Sequence, residues 1–143
     1  MKKIQILLMA MVAVFMSSCG LFKTEATVDV EVTQNGAPLS GITVYKFLNN
    51  GVSTLYKSNA AGSAQTNAGG VAHFDLKSPD DFTPSSVAGI SLPSESNTFH
   101  FCTYDANDDR NAMVSVTVNT GDHKTVQLEV PVGLVNPEEL DNL

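Results

Sequence analysis

The side chains that could do chemistry in this chain are few and scattered. Asp105-Ala106-Asn107-Asp108-Asp109-Arg110 is the densest cluster. Asp105, Asn107 and Asp109 repeat the first three alternating oxygen ligands of a calcium loop. Arg110 stands where that loop needs glycine, and Val116 stands where it needs a bidentate glutamate. The complete motif therefore fails, which leaves a polar hairpin tip. A calcium site using backbone carbonyls at a sandwich edge is the alternative. His73, His100 and His123 belong to no metal-ligand spacing pattern. They are expected to be solvated or packing residues, with His73 on the solvent side of its strand. No nucleophile elbow, phosphate-cradling glycine loop or His-Glu-x-x-His occurs. The expectation is accordingly no enzyme, no cofactor and no metal. Tyr45, Phe47 and Phe82 stay as candidates for contact with a ligand, although Trp is absent from the chain.

Of the two cysteines, Cys19 has the more informative neighbours. Lys2 and Lys3 open the chain, and residues 4–16 form an apolar run broken only by Gln5. That run suits a signal-peptide core and falls short of the about 20 residues that span a bilayer. Met16-Ser17-Ser18-Cys19 resembles the bacterial lipobox, in which small residues precede a cysteine that is acylated. An ordinary secretory signal with a coincidental cysteine is the alternative. The resemblance implies removal of residues 1–18 as a signal peptide, with Cys19 as the lipid-bearing N-terminus. A diacylglycerol and an amide-linked chain such as palmitate anchor stably, at about 0.8 kcal/mol per buried CH₂. Gly20, where an inner-membrane signal would carry Asp, implies the cell outer membrane. The absence of an acidic run over residues 20–25 favours the periplasmic face over the cell surface.

If lipid occupies Cys19, Cys102 has no disulfide partner. It lies in the apolar stretch Phe99-His100-Phe101-Cys102-Thr103-Tyr104, which reads as a small buried residue, not a reactive thiol. The formal charge of the whole chain is −7, and loss of Lys2 and Lys3 makes it more negative. Nucleic acid is thereby excluded as a partner, since polyanion binding needs clustered Lys and Arg.

The elements that must position these residues have period 2. Val28, Val30 and Val32 alternate with Asp29, Glu31 and Thr33, and Asn35-Gly36 follows as a turn signal. Further strands are expected over residues 42–47, 52–57, 62–66, 71–76 and 98–104, then around Val114 to Val118 and Val126 to Val130. Residues 78–96, with Pro79, Pro84 and Pro93, read as a long loop and as the first candidate for specificity. Tyr45 and Phe47 share the face opposite Ile42 and Val44. They either project from the sandwich or lie under that loop or the C-terminal tail. Asn136-Pro137-Glu138-Glu139 carries helix-start chemistry and predicts a short terminal helix. The fold class expected is all-β, an antiparallel seven- or eight-stranded sandwich, transthyretin-like or Ig-like.

Two segments sharpen this. Asn35-Gly36-Ala37-Pro38-Leu39-Ser40-Gly41-Ile42-Thr43-Val44 resembles the opening hairpin of carboxypeptidase-regulatory-like domains. Thr66-Asn67-Ala68-Gly69-Gly70-Val71-Ala72-His73-Phe74 resembles their second signature, with Asn67 in place of the commoner Asp. That family implies a transthyretin-like sandwich and brings no catalytic residues. The expected organisation is a signal peptide over 1–18, a lipidated N-terminus and short tether over 19–26, and the β-sandwich domain over 27–143. The expected function is a membrane-anchored, non-catalytic binding or structural module of the cell envelope. Its partners would be the membrane, through lipid on Cys19, and an envelope protein or glycan. A component of an envelope or secretion assembly is the alternative, and a metal-binding protein stands behind that.

Overall fold

The computed structural model describes residues 24–48, 55–82, 85–87, 90–92 and 96–132. Apolar alternation builds the first strand as expected. In β1 (Glu25–Gln34), Val28, Val30 and Val32 are fully buried while the intervening polar residues stay half-exposed. Asn35 and Gly36 both take positive φ, 53° and 75°, and turn the chain into the short β2 (Ala37–Pro38). β3 (Thr43–Leu48), β4 (Gly62–Gln65), β5 (Val71–Lys77), β6 (Ser85–Val87) and β7 (Ile90–Leu92) follow. β8 (Ser96–Tyr104), β9 (Arg110–Asn119) and β10 (His123–Glu129) complete the set.

These strands make the all-β sandwich that the alternation predicts. One sheet centres on β1, which pairs with β10, β5 and β2. The other runs in the order β4-β3-β8-β9. Pairing is antiparallel except between β1 and β10, which run parallel from Thr27 opposite His123 to Thr33 opposite Glu129. Hairpin signals cannot foretell that pair, because its partners are the first and last strands among the described residues. The inner faces meet in one core: Val28, Val30, Val32, Phe74 and Leu76 on one side, Val44, Phe99, Phe101 and Val118 on the other. Each such side chain contributes about 1.5–3 kcal/mol when fully buried. Phe74 and Phe101 cross the interface with ring centroids 4.8 Å apart.

Several sequence-based expectations need correction. Residues 55–57 belong to no strand, and a 3₁₀ turn spans Lys57–Asn59; the rest of the strand expected over 52–57 lies outside the described residues. The long loop begins as a turn over 78–82, holds the two-stranded ribbon of β6 and β7, and ends at Ser96. β1 starts at Glu25 and Ala26 is already buried, so the sandwich begins before residue 27. The helix expected near Asn136 lies outside the described residues.

The sandwich has two poles. At the first, Ser78 donates its N–H to the Thr24 carbonyl at 2.9 Å, and Gly121 donates to Glu25 at 2.7 Å. The start of β1, the turn after β5 and the β9–β10 turn therefore lie together where the chain comes in from Cys19. At the distal pole the two signature segments lock together. Buried Thr66 donates through Oγ1 to the Leu39 carbonyl at 2.7 Å and accepts the Ile42 N–H at 2.9 Å. Asn67 Oδ1 accepts the N–H groups of Gly69 and Val71, the work an Asp can do equally well. Gly70 takes φ +77° with Val32 and Pro38 against it; a Cβ there would stand 2.8 Å from Pro38 Cβ.

Candidate functional site

Antiparallel register sets which side chains meet on the outer face of the β4-β3-β8-β9 sheet. Tyr45 lies opposite Cys102, and Cys102 opposite Met113; Phe47 lies opposite His100, and His100 opposite Ser115. Tyr104 shares this face, two residues beyond Cys102. Its ring packs edge-on against Tyr45 at 5.3 Å and tilted against Phe47 at 6.5 Å. Such contacts contribute about 0.5–1.5 kcal/mol beyond buried area.

Residues 55–57 lie against this cluster and fasten to the β8–β9 tip. Tyr104 Oη donates to the Leu55 carbonyl at 2.6 Å. Lys57 Nζ sits 5.7 Å from the centre of the Tyr45 ring and donates to Asp108 Oδ1 at 2.7 Å. The Asp108 carboxylate raises the Lys57 ammonium above its ordinary value, chiefly through that hydrogen bond. Burial pushes the Tyr104 hydroxyl up to about 12 and the Cys102 thiol up to about 11, with Arg110 opposing both. Cys102 is thus buried as expected, although on the outer face of its sheet and not between the sheets. Burial thus favours the neutral form of both groups near neutral pH.

The candidates read from the sequence scatter over the molecule. Tyr45 is half-buried within this cluster, and Phe47 is buried beside it at 3% exposure. Leu55 and Lys57 lie against Tyr104 and Tyr45, and the C-terminal tail that was the other expected cover lies outside the described residues beyond 132. Phe82 needs correction as a ligand contact: it is fully buried and packs on Phe99 at 5.8 Å, inside the core. Asp105 Oδ1 accepts the backbone N–H groups of Asn107 and Asp109 at 2.8 and 3.0 Å. That oxygen caps the turn, Asp108 takes the left-handed φ of 61°, and Asn107 and Asp109 are exposed. Among the described residues no three His, Cys, Asp or Glu come together as metal ligands. Cys19 lies outside the described residues.

The histidines separate by environment. His73 faces solvent between two carboxylates, Nδ1 2.6 Å from Asp29 and Nε2 3.4 Å from Asp75. Those partners raise its pKa above the usual 6.5, the Asp29 hydrogen bond foremost. His123 Nδ1 lies 2.6 Å from Thr27 Oγ1, a contact between the parallel strands. His100 is buried with Nδ1 2.6 Å from Ser115 Oγ, and its Nε2 finds no hydrogen-bond partner among the described residues. Leaving such an atom unpaired costs about 1–3 kcal/mol.

The chain matches no protein-family model, and no curated protein matches it. Solved structures do show a similar arrangement. One is the Bacillus anthracis TIE protein, with TM-score 0.45 and 11% identity over 76% of this chain and 16% of that one. Another is a DUF3823 family protein from Parabacteroides merdae, with TM-score 0.43 and 19% identity over 76% of this chain and 47% of that one. The chain thus spans under half the length of either. Neither likeness bears on activity.

Tyr104 and Lys57 are the residues that sequence patterning passes over. Tyr104 stands in the same alternation as His100 and Cys102, a signal that only the register with β3 makes useful. For Lys57 no local signal exists, since its partners Tyr45 and Asp108 come from β3 and from the β8–β9 turn.

Proposed function

We propose that this chain is a lipid-anchored, non-catalytic binding module of the cell envelope, held by Cys19 and presenting its distal pole to a protein or glycan partner. The observation that carries the proposal is the placing of Cys19. It directly follows an apolar run with Ser17 and Ser18 at its end, and β1 opens at Glu25. The five residues between reach at most roughly 17 Å, at about 3.5 Å each. The sandwich therefore stands on the membrane by its Thr24 pole.

The distal pole then carries the recognition chemistry: the Tyr45 and Tyr104 rings, the Lys57 ammonium and the polar tip over residues 105–109. Rings beside charged groups suit a partner with both an apolar face and hydrogen-bonding groups. The non-catalytic reading is supported by how the polar side chains are used. Asn67, Asp81, Asp105 and Asp122 each bind backbone groups of their own turns, and Thr66 binds those of Leu39 and Ile42. The two signature segments, joined through Thr66 and Gly70, also support a carboxypeptidase-regulatory-like sandwich.

Mass spectrometry of the N-terminal peptide tests the anchor. Acyl mass on Cys19 in the wild type, lost in Cys19→Ala, is the expected result. An unmodified N-terminus elsewhere than Cys19 would overturn it. Protease treatment of intact cells then assigns the face, with protection until the outer membrane is opened as the expected outcome.

A further inference from the structure

An edge strand leaves one row of backbone groups unpaired, and proteins guard such edges with short length, charge or proline. The β4-β3-β8-β9 sheet has two edges, the four-residue β4 and the ten-residue β9. Residues 111–119 of β9 read Asn-Ala-Met-Val-Ser-Val-Thr-Val-Asn, with no charge and no proline. Thr117 turns its carbonyl to Lys124 Nζ at 2.8 Å, and Asn119 gives its N–H to Asp122 Oδ2 at 2.9 Å. Antiparallel pairs alternate, so Met113 and Ser115 likewise turn their N–H and C=O groups away from β8. Among the described residues no strand pairs with that side of β9. The core is thin beside this edge. Ala112, Val114 and Val116 pack against the core but are only half-buried, as is Val126 on β10, whereas Val118 is fully buried.

We propose that β9 pairs antiparallel with β9 of a second copy of this chain, about a twofold axis at Ser115, joining the two four-stranded sheets edge to edge. A strand that fits here must be apolar towards the core, polar on the other face and uncharged along its length. β9 meets those conditions itself, because its pattern reads nearly alike in both directions. Around Ser115 stand Val114 and Val116, then Met113 and Thr117, with Asn111 and Asn119 at the ends. A twofold joint sets each residue against its mate across the axis. Val114 then meets the second copy's Val116, so the two half-buried valine rows cover each other. Ser115 exchanges backbone bonds with the second copy's Ser115, and Met113 with its Thr117. The Thr117 carbonyl can accept that N–H and keep Lys124, having two lone pairs. Charge fits as well. Antiparallel pairing lays the Asp109-Arg110 end of one strand beside the Asp122-Lys124 end of the other, which sets opposite charges within reach across the joint. The formal charge of −7 on each copy opposes association, but about 0.15 M salt screens it beyond about 8 Å. A foreign strand would ask for no such symmetry in β9.

The test is oxidative cross-linking of the full chain in its own membranes, with single cysteines introduced along the edge. Residues facing each other as a hydrogen-bonded pair have Cα atoms about 5.5 Å apart, inside the disulfide range. Ser115→Cys should therefore give a linked dimer severalfold above the wild-type background set by Cys19 and the buried Cys102. Met113→Cys, off the axis, should stay near that background, but should link to a co-expressed Thr117→Cys chain. Ser63→Cys, exposed on the β4 edge, controls for random collision. Ser115→Cys gives up the contact with His100, so circular dichroism confirms its fold. Sedimentation in detergent supplies a readout free of new cysteines: wild type should be dimeric, and Ser115→Asp, with carboxylates face to face, severalfold weaker in association. A folded Ser115→Cys protein that stays monomeric, equal linking at positions 63, 113 and 115, or a monomeric wild type overturns the joint. Linking of position 115 to a different protein would give the edge to a foreign strand, and a dimer formed only after residues 133–143 are removed would give it to the chain's own tail. Either result also overturns the twofold joint.

Discussion

Lys46 and Asp81 form the one buried ion pair among the described residues, and removing either partner should be costly. Lys46 shares the inner face of β3 with Val44, and both charged side chains are only 9% exposed. Asp81 binds the Lys46 ammonium through Oδ1 and the Lys77 N–H through Oδ2 at 2.9 Å. Asp81→Ala strips the ammonium of its counter-charge where water cannot replace it. Breaking a buried pair from one side costs about 3–5 kcal/mol, and the residual exposure here places the loss near the lower figure. Against a total stability of about 5–15 kcal/mol that is a large share. With a urea m-value of about 1–3 kcal/mol/M, the midpoint should fall by at least about 1 M. Lys46→Met should cost less, because Asp81 keeps its backbone donor. The double variant Lys46→Met/Asp81→Leu should recover most of the loss, since an apolar pair owes no desolvation. Equilibrium unfolding of all four proteins closes the cycle. Two single variants each within about 0.5 kcal/mol of wild type, with an additive double, would refute the coupling.

Other positions give separate tests. Gly70→Ala forces a Cβ against Pro38 and Val32 at positive φ, so it should cost at least about 1–2 kcal/mol from the left-handed backbone alone; thermal unfolding unchanged from wild type would contradict this. Asn67→Ala frees two N–H groups and should cost about 0.5–1.5 kcal/mol for each, whereas Asn67→Asp should be near neutral by the same assay. Tyr104→Phe removes the hydrogen bond to Leu55 and should loosen the crossing segment, seen as faster amide exchange over residues 55–60 with exchange in β1 unchanged. For His73 the sign is set by a folded pKa raised above the usual 6.5. Its contribution is full below that value and is lost as pH rises through the raised one. Since the pair is exposed, its size stays within the about 0.2–1 kcal/mol of surface pairs. The stability advantage of wild type over His73→Gln should shrink as pH rises across that window, and a constant gap would count against the pairing.

How much of this was legible in the sequence follows from how local each feature is. Val28, Val30 and Val32 announce their buried face by alternation, and Asn35-Gly36 announces a turn because both residues tolerate positive φ. The clasp of Thr66 on Leu39 and Ile42 was readable as two separate signatures but not as one joint. Alternation alone also puts Lys46 on the Val44 face; what a sequence lacks is its partner, 35 residues on. The parallel pairing of β1 with β10 fails for the same reason, being a contact across nearly the whole domain. Phe82 misled because aromatic character in a loop looks like an exposed ligand contact. In fact the pair of Lys46 and Asp81 draws the first part of that loop inward and carries Phe82 onto Phe99.

The polarity of the molecule follows from combining these levels. The anchor proposed at Cys19 would tether the chain without saying which end of the domain meets the membrane. Pairing says that Thr24, Ser78 and Gly121 share a pole but not what lies below it. With that anchor, both stems of residues 78–96, which from sequence alone looked like the outward recognition loop, lie at the membrane pole. This also changes how the loop must be tested. Deleting residues 80–95 would take away Asp81 and Phe82, so any lost binding would report a damaged core. Replacing residues 83–95 by a short Gly-Ser linker spares both, and on the proposed orientation it should leave partner capture intact. Lost capture by a variant that folds and keeps its acyl group would return the recognition role to this segment and refute the orientation argued here.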